Sequence, residues 1–178
     1  YEACIVIVRI RKLNELVKFL FKFLSFLYLF GIFAVSALRL YFLEGPFFFL
    51  YILSICICSD IGGYIVGKNV GGKKLTKISP NKTISGSLGS FCFSIIPLLI
   101  FYKINISEYS LSISNFLVCL VTSLVCQLGD LFISYLKRKA KIKDTGSLLP
   151  GHGGLLDRVD GIIFAIPFTY ILFKTIIL

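Results

Sequence analysis

The stretch from Gln127 to Gly161, QLGDLFISYLKRKAKIKDTGSLLPGHGGLLDRVDG, decides how the rest of the chain is interpreted. It holds four of the five aspartates, the only histidine and six of the nineteen Lys and Arg residues. Apolar runs long enough to cross a bilayer flank it on both sides. A cluster of charges of both signs between membrane spans does not serve apolar packing, so we interpret this stretch as a phosphate-handling, metal-dependent site at a membrane surface.

The composition is that of a membrane protein. The 178 residues are 57% hydrophobic and have a mean hydropathy of +0.90. An ordinary soluble domain is about 45–50% apolar, so that class is excluded. We predict an all-α polytopic integral membrane protein that forms one domain over residues 1–178. Because the chain contains no Met, we expect it to be a fragment that lacks N-terminal spans.

Five apolar runs are predicted to be transmembrane helices, since a bilayer core needs about 20 helical residues. They cover residues 23–43, 47–66, 86–102, 111–136 and 162–178. The Glu44-Gly45-Pro46 sequence predicts a tight turn between the first two, and Pro97 predicts a kink in the third.

Charge asymmetry predicts the topology. If the basic N-terminal flank lies inside, sixteen of the nineteen Lys and Arg residues lie on that side, with only Arg39, Lys103 and Lys174 opposite. All five aspartates share the basic face, while Glu44 and Glu108 lie across from it. The positive-inside bias therefore accounts for the net charge of +10, and no nucleic-acid partner is needed to explain it.

Two other sequence patterns are assigned no function. The six cysteines form no CxxC or Cys/His group, so we expect free, buried, apolar side chains. Residues Gly67 to Lys74 nearly match a P-loop, but Lys74 stands where Ser or Thr is required. This segment also follows a membrane helix instead of a strand, so we reject a nucleotide-binding P-loop.

The acidic and basic residues of the central stretch predict a cation and phosphates. Converging carboxylates repel unless a cation lies between them, and Mg²⁺ is usually held by one or two carboxylates plus substrate phosphates. Lys and Arg supply the phosphate donors, and glycines let a loop approach phosphates closely. Asp60, within a span, is expected to face a wet cavity or the protein interior. A solvated loop that binds lipid headgroups is the alternative, and spacing alone makes His152 a loop residue.

The same stretch resembles a known family. From Ser134 to Asp160 it carries S-x-x-K-R, K-D and P-G-H-G-G-x-x-D-R-x-D, the signature of phosphatidate cytidylyltransferases. The upstream box SPNKTISG and Gly129-Asp130-Leu131 also resemble that family, so the similarity spans roughly Asp60 to Pro167. Asn81 and Ser85 depart from it, because Lys and Glu are common there.

The resemblance implies a reaction of CTP with phosphatidic acid that gives CDP-diacylglycerol and pyrophosphate. It implies that Asp130 and Asp157, then Asp144 and Asp160, bind Mg²⁺, with room for a second cation. His152 would assist the phosphate chemistry, and Asp60 would orient the basic loop or the metal site. The residues expected to hold phosphates are Lys137, Arg138, Lys143, Arg158, Ser79, Lys82 and Thr83.

The resemblance also implies a bacterial inner membrane, with the site on its cytosolic side. The oligomeric state stays open, a homodimer included. A CTP-dependent polyprenol kinase is the second enzymatic interpretation. A transporter with lipid-binding loops is the non-enzymatic one, but it would need a polar pathway through several spans. Only Asp60 and Asp130 lie within spans, both near one end.

Overall fold

Helices account for most of the chain in the computed structural model, which describes residues 14–76, 79–104, 110–142, 144–145, 154 and 156–176. Their order follows the chain: α1 (Glu15–Phe26), a π-helix (Leu27–Phe33), α2 (Ala34–Leu43), α3 (Pro46–Val70), α4 (Ile84–Ser94), α5 (Ile96–Lys103), α6 (Ile113–Lys139), α7 (Leu156–Val159) and α8 (Ile162–Ile176).

Four helical stretches are long and apolar enough to cross a membrane: Leu16–Leu43, Pro46–Val70, Ile84–Lys103 and Ile113–Lys139. The predicted all-α polytopic membrane fold is confirmed. The fifth predicted span corresponds to α8, whose 15 described residues would extend about 22 Å, less than the roughly 30 Å of a bilayer core. Its role as a complete span therefore stays a prediction.

Local sequence explains where the helices begin and break. Gly45 adopts φ +94°, which L side chains rarely adopt, and Pro46 follows at the first helical position of α3. The third span breaks at Ile95, two residues before Pro97, which confirms the predicted kink. Thr83 caps α4 by accepting a hydrogen bond from the Gly86 N–H at 3.1 Å. The π-helix was not predicted.

The core of the bundle is centred on α3. Tyr51, Ile52 and Ile55 are almost completely buried and pack with residues of α5, α6 and α8. Hydrogen bonds between small, fully buried polar side chains also join the helices. Ser59 bonds Ser123 at 2.7 Å between α3 and α6. A second bond of this kind joins α6 to α8, and such contacts stabilise helix association in lipid.

Glycines bring α3 and α4 into close contact. A Cβ atom built on Gly62 would lie 2.4 Å from the Cβ of Phe93, and one on Gly89 would lie 2.5 Å from the Cβ of Val66. Both distances are shorter than real side chains allow, so only glycine fits at these positions. Asp60, two residues before Gly62, lines a cavity together with Gly86, Ser87 and Ser90 of α4.

A second pair of glycines lets α6 approach α8. A Cβ atom on Gly129 would lie 2.7 Å from the Phe164 ring, and one on Gly161 would lie 2.5 Å from the sulfur of Cys126. Each glycine directly neighbours an aspartate, Asp130 in α6 and Asp160 before α8. The close packing therefore brings two acidic residues from distant parts of the sequence together.

The structure agrees with the two sequence interpretations that assign no function, namely free cysteines and the rejected P-loop. The five described cysteines are all free, and Cys56, Cys119 and Cys126 are buried, although Cys92 is exposed. Gly67 lies inside α3, where its backbone packs against Thr83 and Gly86. The Gly67 to Lys74 segment therefore continues a helix into a loop and does not form the strand–loop–helix of a P-loop.

Replacing Gly89 with Leu should separate α3 from α4. The side chain would clash with Val66, and overpacking of this kind typically costs about 1–3 kcal/mol. The midpoint of thermal unfolding in detergent, followed by fluorescence-detected size exclusion, should fall. Gly31→Ala is the matched control, because no atom lies within 4 Å of a Cβ built there. Equal midpoints for Gly89→Leu and wild type would contradict the packing described.

Candidate active site

A polar cavity of about 340 Å³ lies where α3, α4 and α6 meet. It contains five of the residues predicted for the site, namely Asp60, Ser79, Lys82, Thr83 and Asp130. The other lining residues are Gly63, Tyr64, Leu75, Asn81, Gly86, Ser87, Ser90 and Gln127. The expectation that Asp60 faces a wet cavity agrees with this placement.

The loop between α3 and α4 carries Lys82 into this cavity. It leaves α3 through Gly71 and Gly72, both with positive φ, and folds back through an antiparallel bridge between Lys74 and Thr83. The Leu75 N–H donates to the Lys82 carbonyl at 2.8 Å. The Lys82 N–H in turn donates to the Ser79 carbonyl at 3.1 Å, so both backbone groups of Lys82 are bonded and its ammonium group reaches the cavity from a fixed backbone.

The ammonium group of Lys82 forms an ion pair with Asp130, which lies in the last three turns of α6. Both side chains are about three-quarters buried. The other carboxylate oxygen of Asp130 accepts a hydrogen bond from Ser134 at 3.3 Å, one helical turn later. The upstream box and the central stretch, which are far apart in sequence, therefore meet at this pair.

Asp157 is the centre of a second cluster, at the start of α7. One of its oxygens accepts a hydrogen bond from Lys137 Nζ at 2.8 Å. The other accepts bonds from the Thr145 N–H at 2.8 Å, the Thr145 hydroxyl at 3.0 Å and the Gly154 N–H at 3.0 Å. Burial works against ionisation, but Lys137 and the backbone donors outweigh it, so the pKa of Asp157 lies below its ordinary value.

Asp160 connects the two clusters. Its carboxyl lies beside that of Asp130 and 3.9 Å from Lys137 Nζ. Burial raises the pKa of Asp160 to about 7, and the Asp130 charge adds to the rise while Lys137 opposes it. Acidic and basic groups thus alternate through the site, except at Asp130 and Asp160, where two carboxyl groups adjoin.

This contact between like charges is where a cation fits. The four aspartates of the site carry four negative charges when ionised, and the two lysines carry two positive charges. These residues are Asp60, Asp130, Asp157, Asp160, Lys82 and Lys137. A shared proton or a divalent cation would relieve the repulsion between Asp130 and Asp160. Within the described residues no three acidic, His or Cys side chains group tightly enough to enclose a metal, so phosphate oxygens would complete its shell.

The remaining predicted site residues are less closely placed. Arg138 and Arg158 are exposed at the same end of the bundle. Asp144 is also exposed, and no contact among the described residues joins it to the other aspartates. Lys143 and His152 lie outside the described residues. Their predicted roles, like the metal assignments of all four aspartates, stay predictions.

Three polar residues of the cavity were missed by the sequence interpretation. Gln127 accepts a hydrogen bond from the Ser87 hydroxyl at 2.6 Å and donates to Ser123 at 3.3 Å. Ser90 also lines the cavity. The available signal was spacing, because Gln127 precedes Asp130 by three residues and Ser87 follows Thr83 by four, which places each pair on one helical face.

Comparison with known proteins agrees with the sequence motif. Residues 2–176 match the model of the cytidylyltransferase family. A phosphatidate cytidylyltransferase of Staphylococcus aureus strain COL is 44% identical over 132 residues, which cover 72% of this chain and 50% of the relative. The phosphatidate cytidylyltransferase of Bacillus subtilis strain 168 is 42% identical over 129 residues, covering 68% and 46%.

The chain spans about half the length of the curated relatives that it matches. The matched region includes the segments that form both acidic clusters and the cavity. The resemblance stated from the central stretch is confirmed, and the chain belongs to the cytidylyltransferase family.

Proposed function

We propose that this chain transfers a cytidylyl group from CTP to phosphatidic acid, giving CDP-diacylglycerol and pyrophosphate. The observation that carries the proposal is the alternating network of Lys82, Asp130, Asp160, Lys137 and Asp157 at one end of a membrane bundle. Joining two phosphorylated reactants requires basic groups that bind the phosphates and adjoining carboxylates that bind a cation. The names of the relatives support the same reaction.

In this reaction an oxygen of the lipid phosphate forms a bond to the α-phosphorus of CTP. The bond from that phosphorus to the oxygen bridging to the β-phosphate breaks, and pyrophosphate leaves. Both reactants are anions, so the barrier falls mainly through positioning and charge neutralisation. Lys82 contacts Asp130 and Lys137 contacts Asp160, so each lysine can hold one phosphorylated reactant.

Asp130 and Asp160 suit Mg²⁺ because both supply hard oxygen ligands. The lysines beside them can bind the phosphates of the reactants. When bound, the ion would neutralise charge on the phosphates of both reactants. Asp157 has a different part in this proposal. Its four hydrogen-bond donors fix Lys137 and anchor residues 145 and 154 at either end of the glycine-rich loop.

We place this site on the cytosolic side of a bacterial inner membrane. The sequence predicts that sixteen of the nineteen basic residues lie on one side of the membrane, and the positive-inside bias makes that side the cytosolic one. CTP would arrive there from water, while phosphatidic acid would arrive laterally within the inner leaflet. The named relatives are bacterial, which supports this placement.

Two labelled forms of CTP test the reaction directly. Membranes containing the chain should move label from [α-³²P]CTP into the lipid phase when phosphatidic acid is supplied, and none from [γ-³²P]CTP. A CTP-dependent lipid kinase would give the reverse pattern with polyprenol as acceptor. Absence of label from both nucleotides in the lipid phase, with the chain folded and inserted, would refute the proposed function.

Replacing Asp130 with Asn should lower cytidylyl transfer by at least about 10²-fold, since it removes a charge on which Lys82 and a cation depend. The assay is transfer of label from [α-³²P]CTP over a range of Mg²⁺ concentrations. Membrane insertion should be unaffected. Glu44→Gln, an equal change at the opposite end of the bundle, is the control. Near-normal activity of Asp130→Asn would show that the assignment is wrong.

Replacing Lys137 with Met should destabilise the chain as well as inactivate it. The lysine side chain is 12% exposed and neutralises Asp157 and Asp160, and removing one partner of a buried ion pair costs about 3–5 kcal/mol. Thermal unfolding in detergent measures the loss. Lys139→Met, two residues later on an exposed part of α6, should unfold like wild type. If both variants were equally stable, the proposed role of Lys137 would be refuted.

A further inference from the structure

A second, apolar cavity of about 680 Å³ lies beside the polar site. Its volume falls within the range of about 300–1,000 Å³ that is typical of ligand sites. One wall comes from α1 and the π-helix, and the other from α6, α7 and the start of α8. We call it the apolar groove, and the residues used below are Leu24, Tyr28, Gly31, Ile133, Leu136 and Leu156.

Two lining residues of the groove directly adjoin the charged network in the chain. Leu136 directly precedes Lys137 in α6, and Leu156 directly precedes Asp157 in α7. Ile133 lies one helical turn before Lys137 on the same face. A molecule lying in the groove with one end at Leu136 would therefore present that end to the Lys137 ammonium group.

The π-helix forms an ordered wall of the groove. The Tyr28 hydroxyl donates a hydrogen bond to the Ile163 carbonyl at 3.0 Å, and its ring packs on Phe164 at 5.5 Å between centroids. These contacts tie the wall to the start of α8. At Gly31, no atom lies within 4 Å of a Cβ built on the backbone, so the missing side chain leaves room inside the groove.

The groove also opens toward the lipid that would surround a membrane span. Leu24 is 58% exposed and lies within the apolar stretch Leu16–Leu43. Almost all the lining side chains are hydrocarbon, which suits neither the nucleotide nor its phosphates. Hydrocarbon walls with a basic group at one end complement a molecule that has an apolar tail and an anionic head.

We propose that the apolar groove holds an acyl chain of the lipid phosphate substrate and directs its headgroup to Lys137. This inference rests on the proposed function, because it concerns the acceptor of that reaction. Gly31 is then a residue that sets how much acyl chain can enter. The groove fixes the lipid phosphate on the Lys137 side of the Asp130–Asp160 contact and leaves the Lys82 side for CTP.

Photocrosslinking tests the groove without needing the reaction. Proteoliposomes of wild type would be illuminated, in the absence of CTP, with phosphatidic acid that carries a diazirine in one acyl chain. Mass spectrometry should locate adducts on the π-helix and on residues 132–136. Gly31→Phe should fill the groove and reduce adduct formation at equal lipid about tenfold, the effect of losing burial of about two methylene groups.

Two controls make the result specific. Leu38→Phe changes a lipid-facing residue of α2 outside the groove and should label like wild type. A diazirine phosphatidylcholine should label the groove much less than phosphatidic acid, because it lacks an exposed phosphate monoester for Lys137. Equal labelling by both lipids, unchanged labelling of Gly31→Phe, or crosslinks from the groove to a second copy of the chain would each overturn the proposal.

The outcome is separable from that of the proposed function. If wild type forms cytidylyl lipid but the adducts lie outside the groove, the reaction stands and the groove assignment is wrong. If the adducts lie in the groove and Gly31→Phe removes them, the groove binds lipid phosphate even where label from CTP never enters the lipid phase.

Discussion

The structure depends on pairing carboxylates with lysines at the end of an apolar bundle. An isolated charge there would be strongly disfavoured, because low-dielectric surroundings penalise the charged form. Lys82 and Lys137 solve this for Asp130 and Asp157 respectively, and each lysine comes from a different part of the chain than its partner. The two pairs hold together the upstream loop, the end of α6 and the segment before α8. The same pairs that stabilise these ends also supply the charges that a phosphate reaction needs.

Close helix packing makes the pairing possible. The glycines of α3 and α4 allow contact between their backbones, and this places Asp60 and Lys82 on one cavity. Gly129 and Gly161 do the same for α6 and α8, and each is the immediate neighbour of an aspartate. Small residues therefore determine where the charged side chains lie in this bundle. They bring charged groups of α3, α6, α7 and the segments before α4 and α8 within reach of one another, while most of each long helix remains apolar.

The sequence was informative where chemistry and spacing agree. Asp60 and Asp130 could be assigned a polar environment because a carboxylate inside a span is costly. Lys82 was assigned through the family resemblance of its box, and Pro97 predicted the break near Ile95. Which lysine faces which aspartate could not be predicted, since this depends on how α3, α4 and α6 pack. Asp157 illustrates the limit. Its four hydrogen-bond donors could not be predicted from the sequence, and its expected role in binding metal stays a prediction. The π-helix was also missed, because LYLFGIF is uniformly apolar and shows no pattern that distinguishes π from α geometry.

The most direct test of this account is the proximity of positions 82 and 130. A Lys82→Cys, Asp130→Cys double variant, with the native cysteines replaced, would be treated in membranes with a short bis-methanethiosulfonate linker. Proteolysis between α4 and α6 would then show whether the two fragments remain joined. We expect efficient joining of this pair and none for Lys82→Cys combined with Ile113→Cys, at the opposite end of α6. Fragments that separate freely in the first variant would contradict the convergence on which the site depends.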